Sequence, residues 1–227
     1  MLTGQPARMT VTFEELKQRL PRWLSGGLPG PDGQLRMSPR PRFGWRPGRI
    51  PPDARPGGVL LLLYPIGGVP HVVLTVRDRD LPQHPGQVSL PGGAAEPGES
   101  IENAALREAH EEVGIEPAAV RTVGALSPLH VPASGFVLHP RVAVTEVRPT
   151  WRPDRREVAR VIEAPYDVLR DPASLEVETW QLGGRPVEVP FFRLSDEKVW
   201  GATAMVLSEF LCAVGSPPDP WRADRAK

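Results

Sequence analysis

A single cysteine, Cys212, stands in the 227 residues, so no intrachain disulfide framework can form, and the count fits a reducing cytosol. It sits in an apolar run with helical spacing, which assigns it a buried structural place rather than a reactive one. Excess charge is missing too: 27 Lys and Arg balance 27 Asp and Glu, for a net charge of zero. No global field favours nucleic acid or an anionic membrane, so any phosphate recognition must be built locally. The most apolar run, Val59 to Tyr64, is far too short to span a bilayer as a helix. The N-terminus lacks a basic segment followed by an apolar stretch and a small-residue cleavage site. The five histidines show no zinc-ligand spacing, and no internal repeat is present. These absences lead to the expectation of a soluble, cytoplasmic protein without nucleic-acid or membrane partners, its state as monomer or homodimer left open.

Proline and glycine are plentiful, at 29 and 22 residues, yet short of a disordered composition. With 40% hydrophobic residues the chain can bury one full core, which suggests one domain with trimmings. Residues 1–57 read as a short helix and an arm, 58–214 as the domain, and 215–227 as a frayed tail. Thr12 and Glu15 form a capping-box pattern ahead of Phe13, Leu16 and Leu20, predicting a helix over 13–20 that Pro21 stops. From there to Gly58, proline, glycine and arginine crowd together, as in an extended arm. Its arginines, among them Arg36, Arg40 and Arg42, either meet phosphates or are simply solvated.

Strands are expected over 58–64 and 71–77, joined by a Pro65-Ile66-Gly67-Gly68 turn, and later over 120–126, 136–147 and 157–163. A helix over 101–113 has Ser100 as N-cap and Gly114 past its end. A short helix near 166–169, a hairpin or strand around 187–194 and an apolar helix over 202–214 complete a mixed α/β sandwich.

The chemistry concentrates in Arg107-Glu108-Ala109-His110-Glu111-Glu112. At about 3.6 residues per turn, Glu108, Glu111 and Glu112 share a narrow sector beside the apolar face of Ala105, Ala109 and Val113. Like charges at this spacing cost a few tenths of a kcal/mol per pair even when exposed. A hard divalent cation reverses that sign, since magnesium prefers a few carboxylates plus waters and phosphate oxygens. Arg107, four residues before Glu111, is placed to pair with it.

Gly93, five residues, Glu99, seven residues, Arg107-Glu108, then Glu111-Glu112, Gly114 and Ile115 match every position of a known signature. The segment from Gly93 to Ile115 resembles the box of the Nudix hydrolase family. The resemblance implies the Nudix fold, an α/β/α sandwich with a mixed sheet and a metal-holding loop-helix-loop. It implies magnesium (or manganese) on Glu108 and Glu112, with Glu111 a further ligand or water-orienting group, and Gly92 and Gly93 letting backbone approach metal and phosphate. Glu99 and Arg107 would act as supports, and Gly114 as part of the box frame. The activity implied is hydrolysis of a diphosphate linkage, with Glu111 or the off-helix Glu157 as proton acceptor.

Upstream, Thr75, Arg77, Leu81, His84, Gly86 and Gln87 before Pro91-Gly92-Gly93 resemble the coenzyme A pyrophosphatase branch of that family. So do Pro132-Ala133-Ser134-Gly135-Phe136 and Val199-Trp200-Gly201-Ala202-Thr203-Ala204. Leu90 and Pro82 depart from the branch pattern. By this likeness the substrate is coenzyme A or a derivative, with Arg77 the first phosphate contact and Phe136 in the substrate site. His84 and Gln87 either bond substrate or hold their loop together. ADP-ribose, a nucleotide sugar or a damaged nucleotide are competing substrates, and a silent ligand-binding module is a competing class.

Overall fold

A computed structural model describes residues 10–42, 46–82 and 84–221. Its organising element is β1, Arg55–Ile66, buried continuously from Gly57 to Tyr64. A strand covered on both faces has no solvent side to reward polar alternation, hence the unbroken apolar run. Successive side chains still point to opposite faces. Val59, Leu61 and Leu63 enter one core cluster, and Leu60, Leu62 and Tyr64 the other.

β2, Val69–Arg77, pairs antiparallel with β1 over Leu63 to Ile66. Their turn is only Gly67-Gly68, at φ 58° and 81°, the left-handed pair that a tight hairpin demands. Away from this turn the two strands part, and two short strands fill the gap. β3, Val88–Ser89, pairs with β2, while β4, Gly92–Ala94, pairs with β1. Further out come β5, Arg121–Ala125, and β6, Leu129–Val131, both antiparallel to β7, Phe136–Val144. β7 runs parallel to β1, and β8, Val158–Pro165, covers the free edge of β2. One parallel pairing among antiparallel ones makes the sheet mixed, as expected.

Five α-helices are described: α1 Phe13–Ser25, α2 Gly30–Leu35, α3 Ile101–Val113, α4 Tyr166–Leu169 and α5 Gly201–Ala213. α3 lays Ala105, Ala109 and Val113 on the Leu60, Leu62 and Tyr64 face. α1, α4 and α5 pack against the opposite face. The result is the α/β/α sandwich. A second, antiparallel sheet of β9 Leu175–Leu182, β10 Arg185–Leu194 and β11 Glu197–Val199 adds Phe192, Leu194 and Val199 to the same core. Among the described residues no helix is long and apolar enough to cross a membrane.

Four expectations need correction. Pro21 does not stop the first helix, which continues to Ser25. Proline in a helix interior costs about 3 kcal/mol, but Trp23 and Leu24 beyond it pack on the core, with Leu24 seated against Gly124. The arm is not merely extended, because α2 forms within it and Gln34, Met37 and Ser38 are all buried. The hairpin or strand expected around 187–194 is part of a larger unit, because β10 lies between β9 and β11 in the three-stranded second sheet. Nor does the chain fray directly after Gly215: Trp221 is buried, its indole N–H donates to the Arg36 carbonyl at 3.0 Å, and the Arg40 guanidinium lies 3.9 Å from its ring centroid.

Candidate active site

α3 starts where the Ser100 hydroxyl accepts the Asn103 amide, and ends at Gly114 with φ 73°. Its apolar stripe fixes its rotation on the sheet, and that rotation decides where the carboxylates go. Glu112 turns inward, 5% exposed, and accepts a hydrogen bond from the Gly92 amide at 3.2 Å. Burial pushes its carboxyl up to about 8, against the opposing pull of the Gly92 amide. Glu108 is half-buried, and burial raises its carboxyl as well, while Arg107 works against the shift. Glu111 points outward, with 57% of its side chain exposed.

Arg107 organises this helix face. Its Nε and Nη2 donate to the two Glu99 oxygens at 2.9 and 3.0 Å, a bidentate pair. The same guanidinium donates to the Ala94 carbonyl at 3.0 Å, to Glu108 at 2.9 Å and to Glu111 at 3.2 Å. Glu99 in turn accepts the Glu96 amide at 3.0 Å, so the loop and helix are clamped together.

Gly93 shows why the loop needs a residue without a side chain. A Cβ there would stand 2.4 Å from the Glu108 carboxyl carbon. Only bare backbone can share the space beside that carboxylate.

The gap between β1 and β2 opens into a cavity of about 560 Å³, within the usual range for small-molecule sites. Glu108, Glu112 and Glu157 line it together with Gly92 and Gly93. Glu157 comes from the turn before β8, held by its carbonyl accepting the Asp78 amide at 2.8 Å. It lies close enough for its charge to raise both Glu108 and Glu112. Glu111 is not part of this lining. The donor groups are all hard oxygens, which suits a divalent cation that keeps waters and substrate oxygens as its other ligands. Among the described residues no three acidic, histidine or cysteine side chains form a ready-made cage.

Arg77, His84 and Gln87 line the same cavity. Their loop folds back on the end of β2, where the Arg77 amide donates to the Gln87 carbonyl at 3.0 Å and its carbonyl accepts the Gly86 amide at 3.2 Å. His84 takes φ 55°, uncommon for a residue with a side chain. Phe136 lines the cavity from the start of β7, with the Arg55 guanidinium 4.1 Å from its ring centroid. Trp200 and Thr203 join from the entrance to α5, where the Thr203 hydroxyl donates to the Val88 carbonyl at 3.0 Å.

Residues 55–180 match the model of the NUDIX domain family. The chain belongs to the Nudix family. It is 35% identical over 182 residues to "Uncharacterized Nudix hydrolase NudL" of Pectobacterium atrosepticum, an alignment covering 75% of this chain and 91% of that one. The like-named protein of Photorhabdus laumondii is 31% identical over 177 residues, covering 78% and 90% respectively. A solved Nudix hydrolase from M. smegmatis, RenU, is 25% identical, with a TM-score of 0.40 over 50% of this chain and 72% of its own. The protein is thus a Nudix pyrophosphohydrolase, and enzymes of this family generally use divalent metal ions.

Arg42 and Pro39 also line the cavity; sequence reasoning left Arg42 among the arm arginines that either meet phosphates or are solvated, and passed over Pro39. They lie before residue 55, in a stretch whose composition signals only an arm.

Proposed function

We propose that this Nudix hydrolase cleaves the diphosphate linkage of coenzyme A or a close derivative, with magnesium or manganese, giving adenosine 3′,5′-bisphosphate and 4′-phosphopantetheine. The observation that carries the reading is one cavity whose acidic end is continuous with Arg77, His84, Gln87 and Phe136. All four belong to segments that resemble the coenzyme A branch.

In this reading Glu108 and Glu112 hold the metal, helped by the Gly93 backbone. When bound there, a divalent cation would supply charge neutralisation for the diphosphate and make water a better nucleophile. Glu157 is the base, because it lines the cavity and Glu111 does not. Its carboxylate takes a proton from water as the water oxygen bonds to phosphorus, while the bridging oxygen leaves with the electrons of the broken bond. Arg77 binds diphosphate oxygens through its planar guanidinium. Arg107 and Glu99 are positioning residues that fix the rotamers of Glu108 and Glu111. Most of the cavity lining comes from residues 58–214, and Pro39 and Arg42 add to it from the arm.

Turnover of coenzyme A, its dephospho form and ADP-ribose with magnesium, with product identification by mass, tests the proposal. Coenzyme A should give the highest kcat/KM and the two products named above. Faster turnover of ADP-ribose rejects the substrate.

A further inference from the structure

The arm before β1 sends one cation into the active-site cavity. Arg42 lines it together with Pro39, and its contact with Met205 places it on the α5 side. Its Nη1 donates to the Ser38 hydroxyl at 3.4 Å and rests against the Met205 sulfur. Ser38 and Met205 are themselves buried, so the guanidinium is seated on a fixed wall. Burial there lowers its pKa to about 10, a sign of how much hydration it has given up.

The wall that seats this cation and the helix that carries Glu108 and Glu112 lie on opposite faces of β1. Leu60, Leu62 and Tyr64 face α3, which carries Glu108 and Glu112, while Val59, Leu61 and Leu63 face the side that holds Met205 and Val206. The cavity draws lining from both sides because β1 and β2 part there. A substrate with its diphosphate against Glu108 and Glu112 therefore meets Arg42 with a different part of itself. A desolvated guanidinium at that place rewards a second anionic group, remote from the bond being cleaved.

We propose that Arg42 is a specificity-determining contact for a phosphate monoester on the nucleoside part of the substrate, distinct from the diphosphate that is hydrolysed. This rests on the reading of the cavity as a coenzyme A site, whose 3′-phosphate is such a group. It gives the proline- and arginine-rich arm a role in substrate choice that the matched family domain at 55–180 does not contain.

The test compares wild type with Arg42→Gln and Arg42→Lys by calorimetric binding of adenosine 3′,5′-bisphosphate and of AMP without metal, and by kcat/KM on coenzyme A and dephospho-coenzyme A. Losing a charge-assisted contact should weaken bisphosphate binding about 10- to 100-fold in Arg42→Gln, with AMP changed less than about threefold. Arg42→Lys should recover part of the loss, since it keeps charge without the bidentate fork. On substrates, the loss should appear in KM for coenzyme A alone. Equal losses for both nucleotides, unchanged bisphosphate binding, or a wild type that binds the two alike would overturn the proposal. Bisphosphate binding that depends on Arg42 in an enzyme inert toward coenzyme A would sustain this contact and reject the substrate reading instead. Thermal melts of both variants identify any loss due to unfolding, and dephospho-coenzyme A turnover confirms an intact catalytic end.

Discussion

The Glu108 carboxyl group occupies the space where a side chain on residue 93 would begin, with 2.4 Å between its carboxyl carbon and an ideal Cβ. The obstructing atoms are the far end of a flexible side chain, and Gly93 is not among the positive-φ residues. Gly93→Ala should therefore leave the backbone intact and displace the carboxylate. We expect kcat/KM to fall at least about tenfold while Tm moves by less than roughly 3 °C. A variant with unchanged kinetics would show that this packing is irrelevant to catalysis.

Glu112 couples stability to pH, and in the proposed reading to metal as well. Its folded pKa, about 8, lies above the ordinary 4.5, so the folded protein favours the protonated acid. The resulting stabilisation is complete below about pH 4.5 and is lost as pH rises through 8. Metal-free protein should thus lose on the order of 5–10 °C in Tm across that window. Glu112→Gln should flatten the curve, and magnesium at pH 8 should restore wild-type Tm without helping the variant. Melts in chelator across pH check this, and a flat wild-type profile would contradict it.

Two glutamates compete for the role of base, and their positions separate them. Glu157 lines the cavity, whereas Glu111 pairs with Arg107 outside it. Glu157→Gln should cut kcat by about 10²-fold or more. Glu111→Gln should cost less than about tenfold, through the loosened Arg107 clamp. The reverse ranking would move the base back onto the helix.

The arm is held by a buried polar node. Gln34 donates to Glu209 at 2.8 Å, Glu209 also accepts the Ser127 amide at 2.9 Å, and both side chains are essentially buried. Gln34→Ala leaves that carboxylate short of a donor, which costs about 1–3 kcal/mol or roughly 3–10 °C in Tm. Differential scanning calorimetry measures it. A shift under 1 °C would mean the node contributes little.

The α3 helix and its ends were legible because periodicity, a serine cap and a terminal glycine all agree locally. β1 was legible because a strand buried on both faces must be apolar throughout. The continuation past Pro21 was not, since Trp23 and Leu24 find their partners in distant sequence. β9 escaped notice because its residues are mostly half-buried, leaving no clean alternation to read.

Sequence alone determined the carboxylate helix, the loop glycines and the family, because each depends on spacing within one short segment. Tertiary structure alone decided which acids share the cavity, since a rotation of α3 on the sheet turns Glu112 inward and leaves Glu111 outside. It also decided that Arg42 belongs to that cavity. No local pattern encodes where an arm lands, because the buried contacts that hold it lie on residues as far away as Glu209 and Trp221.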